Sequence, residues 1–263
     1  MQSVGIVGVG LSGGSFGLAL RKAGFDGPIV GVSSERSIAE GRERGCIDTG
    51  VTLEEAAAQC DLLFLSQPIF GILRTLKKLG PLVRPGTLVT DAGSTKKAIV
   101  DTANEYLPAF VGGHPMAGKE LRGAAAADAD LFRDRPWVLT SDIDHPIRKW
   151  IAAFGAREII LNAAEHDRLV AWSSHLPQLT STALAAVLND RAPDAAKVAG
   201  PGLLDSTRLA LSSFDLWNDI LETNEAEVSA ALDAYIEKLQ GLRKNFAGEF
   251  GKGSKFARSL REK

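Results

Sequence analysis

Three groups of residues have types and spacing that could do chemistry. The first is Gly8-x-Gly10-x-x-Gly13, which follows an apolar run and opens an apolar stretch containing Phe16, Leu18, Ala19 and Leu20. This spacing suits a pyrophosphate. Gly8 permits a tight turn, Gly10 lets backbone approach the phosphates, and Gly13 lets helix and strand pack closely. Leu11 and Ser12 belong to the same cradle. The free N–H groups and partial positive charge of the helix start would face the anion. The competing reading is a glycine-rich turn with no ligand.

The second group lies about 20 residues on, where an acidic side chain would hold the ribose 2′-hydroxyl of NAD. Pro28-Ile29-Val30-Gly31-Val32 ends instead in Ser33-Ser34-Glu35-Arg36. Two hydroxyls and a guanidinium suit a 2′-phosphate, so Ser33, Ser34 and Arg36 point to NADP. Two alternatives stay open: one step in register would return Glu35 as a ribose-binding acid, and Arg36 could be a solvated residue at a helix start. Gln67 and Pro68, just beyond an apolar run at 62–65, join the expected cofactor contacts.

The third group centres on His114, in Gly112-Gly113-His114-Pro115-Met116-Ala117-Gly118. A histidine beyond the carboxyl end of a strand faces the ligand crevice of an open α/β sheet, and its ordinary pKa suits a proton acceptor. A loop-capping histidine is the alternative. Ser94, at the end of the preceding strand, could face the same crevice and touch the cofactor. His166 and His175 are nine residues apart, which puts them on opposite faces of a straight helix. Pro177 could break that helix by removing the bond to the Ser173 carbonyl. His175 is therefore a site candidate, His166 is expected at a helix start or on the surface, and His145 is expected in a solvated turn. No metal-ligand cluster is expected.

The elements that must position these residues are legible from pattern. Continuous apolar runs at 4–9, 29–32, 62–65, 88–91, 110–113 and 137–140 alternate with helical stretches at 14–23, 69–79 and 96–107, and a last run at 158–161 closes this half. That alternation predicts a Rossmann-like, doubly wound, mostly parallel sheet. Beyond residue 161 strand signals vanish, and 164–190, 194–212 and 215–247 read as helices. We therefore expect a dinucleotide-binding domain over 1–161 and a helical substrate and dimerisation domain over 162–263. Val228, Leu232, Tyr235, Ile236, Leu239, Leu242 and Phe246 draw one apolar stripe, for packing within that domain or for a subunit interface. The basic tail, 251–263, is expected to fray.

Composition narrows the classes. The 263 residues carry a formal net charge of −2 and no basic excess, against a nucleic-acid or membrane-surface binder. No run approaches a membrane span, no signal peptide is expected, and two isolated cysteines, Cys46 and Cys60, fit a reducing cytoplasm.

Taken together, the glycine loop, Asp91–Lys96, the Gly112–Gly118 run, Asp130-Leu131-Phe132, His166-Asp167, Ser174-His175-Leu176-Pro177, and Asp205-Ser206-Thr207-Arg208 with Trp217 resemble the prephenate/arogenate dehydrogenases of tyrosine biosynthesis. The resemblance implies an oxidative decarboxylation: hydride passes from C4 of a cyclohexadienol to the nicotinamide, the ring carboxylate leaves as CO₂, and aromatisation drives the reaction. It implies that His114 accepts the ring hydroxyl proton, Ser94 orients that hydroxyl and the nicotinamide, and Arg208 binds a substrate carboxylate. Glu120 would stand at the entrance, with His175 and Trp217 lining the pocket. Gln178 stands where some prephenate-preferring members carry a second histidine, and Leu204 where some carry a basic residue. With the Gly31–Ser34 segment, this favours arogenate and NADP, leaving prephenate and NAD open. The long C-terminal apolar stripe leads us to expect a homodimer. We also expect no mutase segment before Met1 and no regulatory domain after Lys263, so that any feedback by tyrosine would act at the active site. Two rivals remain: another reductase with a Rossmann and a helical domain, such as a β-hydroxyacid dehydrogenase or pyrroline-carboxylate reductase type, which would not need His114 together with Ser-His-Leu-Pro; and a non-catalytic nucleotide-sensing protein, which would have no use for His114 and Arg208.

Overall fold

Buried β-branched and aromatic runs, each followed by an amphipathic helix, build the first half of the chain. The computed structural model describes residues 1–119 and 121–262. Its elements run β1 (Val4–Val7), α1 (Leu11–Lys22), β2 (Ile29–Val32), α2 (Glu35–Glu43), β3 (Thr49–Gly50), α3 (Leu53–Gln59), β4 (Leu62–Leu65), α4 (Ile69–Leu79), β5 (Leu88–Asp91), α5 (Lys97–Tyr106) and β6 (Phe110–Val111). These six strands are all parallel, in the order β3-β2-β1-β4-β5-β6. That is the 3-2-1-4-5-6 order of dinucleotide-binding sheets, whose ligands sit at the carboxyl ends of the strands. Both sheet faces are buried. Val4, Ile6, Phe16, Leu20 and Phe64 pack on one side, with the Phe16 and Phe64 rings stacked 4.0 Å apart. Val7, Leu63, Leu65, Ile72, Leu76 and Ile99 pack on the other. Double burial explains why these strands read as unbroken apolar runs.

The parallel sheet ends sooner than the apolar runs suggest. At Gly112 the chain leaves it and forms β7 (Gly113–Pro115), which pairs antiparallel with β8 (Pro136–Leu139). After α6 (Ile147–Ala153), β9 (Arg157–Ile160) adds parallel to β8. The runs at 137–140 and 158–161 thus belong to a separate three-stranded sheet, and 110–113 is two strands rather than one. A partner 28 residues on accompanies the departure: Gly112 N–H bonds Thr140 Oγ1 at 2.9 Å and Thr140 N–H bonds Gly112 O at 2.9 Å, tying the chain to the end of β8. The two-residue β3 is too short to leave an apolar run and has no counterpart in the sequence reading.

The rest is helical: α7 (Ala163–Val170), a π turn (Ala171–His175), α8 (Leu176–Arg191), a 3₁₀ turn (Pro193–Val198), α9 (Pro201–Thr207), a 3₁₀ turn (Arg208–Leu211), α10 (Phe214–Thr223), α11 (Glu225–Leu242) and α12 (Phe246–Ser259). The helix expected over 215–247 is therefore three helices. Asn224 leaves helical geometry while its amide meets the His175 imidazole, and Asn245 caps α12 by accepting from Gly248 N–H at 3.0 Å. The expected frayed tail is instead mostly α12, bound to α11 by Glu249, which pairs with Lys238 and Lys252. None of the described helices is long and apolar enough to cross a membrane.

The chain divides into two units. One comprises residues 1–170 with 211–223; the other comprises 171–210 with 224–263. The segment 211–223 thus belongs with the sheet: Asp219 accepts the Phe70 N–H at 2.9 Å, Thr223 meets Thr95 at 2.7 Å, and Ile220 joins the core under α4. Cys46 and Cys60 are free and buried, and burial pushes the Cys60 thiol up to about 11.

His145 corrects the expectation of a solvated turn. It is buried, and its Nδ1 accepts the Ile147 N–H at 3.2 Å at the start of α6. Burial pushes its pKa down to about 4. Because the folded value lies below the unfolded one, the unfolded chain takes up the proton first. The contribution is present above about pH 6.5 and lost as the pH falls to about 4, amounting to about 2–3 kcal/mol. We expect urea unfolding of the wild type to weaken from pH 7 to pH 5 by more than that of His145→Gln; equal losses would contradict this.

Candidate active site

The glycine loop is built as its spacing requires. Gly8 has φ +98°, Ser66 Oγ donates to its carbonyl at 2.6 Å, and its N–H bonds Val32 O at 2.9 Å. The turn is thereby tied to the carboxyl ends of β2 and β4. A Cβ on Gly13 would stand 2.2 Å from Gly8 O, so no side chain fits there. At Gly10 a Cβ would meet nothing within 4 Å, and no side chain caps α1. The open space and the uncapped helix start fit a pyrophosphate held by backbone N–H groups. Leu11 and Ser12 form the first turn of α1, and Gln67 and Pro68 follow β4, where the Gln67 amide oxygen accepts from Thr75 at 2.8 Å.

Ser33 and Ser34 follow β2, and no carboxylate stands at either position. Ser34 caps α2 by accepting from Ser37 N–H at 3.3 Å. Glu35 is the first residue of α2. Arg36 is 88% exposed and bonds Glu40 one turn along at 2.8 Å.

Ser94 and His114 occupy neighbouring segments beyond β5 and on β7, and one buried ion pair holds both. Asp91, at the end of β5, accepts Gly93 N–H at 2.7 Å and Gly113 N–H at 2.9 Å. Lys96 Nζ donates to Asp91 and, at 2.8 Å, to Gly113 O. Both side chains are fully buried. Burial pushes the Asp91 carboxyl up and the Lys96 ammonium down, against their mutual attraction. A Cβ on Gly113 would stand 2.5 Å from Asp91 O, so only glycine lets β7 approach β5 this closely.

His114 is buried, with Nδ1 2.8 Å from His166 Nε2. Of the two positions expected for His166, the helix start holds, since it stands in the first turn of α7, and the surface does not: it is fully buried, and its Nδ1 meets Asp167 at 2.7 Å. Asp167 in turn accepts Lys96 N–H at 2.7 Å and Lys97 N–H at 2.8 Å at the start of α5. The adjacent pair His166-Asp167 was visible in the sequence; its partners, 52 and about 70 residues away, were not. Trp217 lies on α10 and packs on the core beneath the sheet.

In the second unit, His175 closes the π turn, buried, with the Asn224 amide 3.3 Å from its Nδ1. Pro177 follows at the start of α8, so the break expected from its missing N–H takes the form of a π turn. Gln178 is buried, and its amide donates to Leu209 O at 2.8 Å and to Thr182 at 3.1 Å, which fixes the turn that begins at Arg208. Glu120 lies outside the described residues.

A 3-2-1-4-5-6 sheet with a glycine cradle at its carboxyl edge makes the first unit a dinucleotide-binding domain, with a buried histidine on the strand that follows its sixth. Residues 16–155 match the family model "Prephenate dehydrogenase, nucleotide-binding domain", and residues 162–262 match "Prephenate dehydrogenase, dimerization domain". The chain belongs to the prephenate dehydrogenase family. It is 33% identical over 253 residues to a prephenate dehydrogenase of Lactococcus lactis subsp. cremoris, covering 93% of this chain and 69% of that one. A crystal structure of prephenate dehydrogenase from A. aeolicus, in complex with hydroxyphenyl propionate and NAD+, superposes with TM-score 0.87 at 30% identity, over 99% of this chain and 96% of that one. The Synechocystis arogenate dehydrogenase structure gives TM-score 0.79 at 30% identity over the same shares. The chain is thus a dehydrogenase that uses a nicotinamide cofactor.

Removing one member of a buried ion pair leaves the other charge uncompensated. We expect Lys96→Met to lower unfolding free energy by about 3–5 kcal/mol, and the double variant with Asp91→Asn to recover part of it. A loss below about 1 kcal/mol, the value of an exposed pair, would show that the pair does not hold the site.

Proposed function

We propose that this chain catalyses the oxidative decarboxylation of arogenate to tyrosine and of prephenate to 4-hydroxyphenylpyruvate, with arogenate and NADP favoured. The observation that carries the reading is His114 on β7, buried beside the Ser94 loop at the carboxyl edge of the sheet and held to it through Asp91 and Lys96. The nicotinamide, when bound, supplies the hydride acceptor. His114 accepts the proton of the ring hydroxyl, and Ser94 orients that hydroxyl. Arg208 binds a substrate carboxylate through its fork of donors. His175, Gln178, Trp217 and Glu120 complete the substrate surroundings. Gln178 in place of a second histidine, and Leu204 in place of a base, favour the substrate carrying its own ammonium group.

Ser33, Ser34 and Arg36 support NADP, since all three stand where a ribose-binding acid would be and Arg36 is exposed to a 2′-phosphate. Glu35 and the NAD+ held by the A. aeolicus relative support NAD as the second reading. The two buried free cysteines fit a cytoplasmic enzyme. A homodimer is supported by the match to a dimerization domain and by the exposed apolar side chains Ile236, Leu239, Phe246, Phe250 and Phe256.

Initial rates at 340 nm with each of the four substrate–cofactor pairs test the activity. Arogenate with NADP should give the highest kcat/KM, and no turnover of any pair would overturn the reading. Arg36→Gln should lower kcat/KM for NADP by about tenfold, the weight of one charge-assisted hydrogen bond, and leave NAD unchanged; equal effects on both cofactors would remove its role. Light scattering at micromolar concentration should give twice the chain mass, and a monomeric mass would contradict the dimer.

A further inference from the structure

Three side chains in the first unit form a continuous hydrogen-bonded line that ends on a helix. His114 Nδ1 meets His166 Nε2 at 2.8 Å, His166 Nδ1 meets Asp167 Oδ1 at 2.7 Å, and both Asp167 oxygens accept backbone N–H groups of Lys96 and Lys97. Backbone N–H groups only donate, so this carboxylate is placed as an ionised acceptor, at a helix start that favours negative charge. His166 Nδ1, facing it, therefore carries a proton. In a neutral imidazole the other nitrogen is then an acceptor, so His166 Nε2 presents its lone pair to His114. His114 must answer with a proton on Nδ1, and its own lone pair is left on Nε2.

Resting on the assignment of His114 as the base, we propose that His166 and Asp167 are positioning residues that set the tautomer of His114 and hold its charge during turnover. In the proton-transfer step the O–H bond of the substrate breaks, its electron pair stays on oxygen, and a new N–H bond forms at His114 Nε2. The resulting imidazolium keeps its Nδ1 proton, donated to His166, and Asp167 supplies the opposing charge through that ring. The other charged groups near this line are the ammonium groups of Lys96 and Lys97, which pair with Asp91 and Asp101 and also feel the Asp167 charge. A His166 protonated on both nitrogens would do the reverse. It would force His114 to accept on Nδ1 and carry its proton on Nε2, the tautomer that cannot take a proton there.

Two measurements test this. The first is ¹⁵N NMR of histidine-labelled wild-type protein at neutral pH, with the His114 signals assigned from the spectrum of His114→Asn. The proposal expects His114 protonated on Nδ1 and His166 on Nδ1; His114 protonated on Nε2 alone would overturn it, whether or not the enzyme turns over. The second is kinetic. His166→Leu, which removes the acceptor, should lower kcat by about 100-fold or more, the scale of a misdirected general base, with KM and cofactor affinity unchanged. His166→Gln, whose amide oxygen can accept from His114 Nδ1, should recover about tenfold of that loss. Equal losses in the two variants, or a kcat within about threefold of wild type in His166→Leu, would leave His166 a packing residue only. If wild type turns over none of the four substrate–cofactor pairs, the functional reading fails, and the NMR result still decides the tautomer.

Discussion

The site depends on the buried pair between Asp91 and Lys96. Two charges away from water are costly, and a buried ion pair is no net gain in stability over apolar side chains of the same size. Its value here is geometric. Asp91 accepts the N–H groups of Gly93 and Gly113, and Lys96 donates to the carbonyl of Gly113. The pair therefore holds the loop bearing Ser94 and the strand bearing His114 in one arrangement. β7 belongs to a different sheet from β5, so no ladder would otherwise fix the distance between them.

The same residues serve a second group. The backbone of Lys96 and Lys97, at the start of α5, binds Asp167, and Asp167 and His166 lead back to His114. His114 is thus constrained from two directions: its backbone through Gly113 and its imidazole through His166. Both constraints meet in the turn between β5 and α5. In the role proposed for it, His114 needs this kind of support, because small misplacements cost large factors in rate.

The boundary between the two units also has a chemical consequence. Residues 211–223 follow helical segments of the second unit but fold with the first, which brings Trp217 into the sheet's surroundings. Asn224, the next residue, serves His175 in the second unit. A periodic apolar pattern cannot reveal this division, because helical spacing is the same on either side of it. Asn224 stands outside helical geometry between α10 and α11, and its side chain meets His175, 49 residues away.

Much of the nucleotide-binding half was legible from sequence alone. Local steric facts, such as Gly8 and Gly13 admitting no side chain, and doubly buried strands that must be wholly apolar, are written in adjacent residues. So was the absence of an acid directly after β2. Tertiary structure decided the rest. Whether His166 faces water or another imidazole, whether His145 is solvated, and where 110–113 leaves the parallel sheet depend on partners far along the chain. Hydrogen bonding and burial are properties of such pairings, and a side chain's type states only what it can bond, never which distant group will be there to bond it.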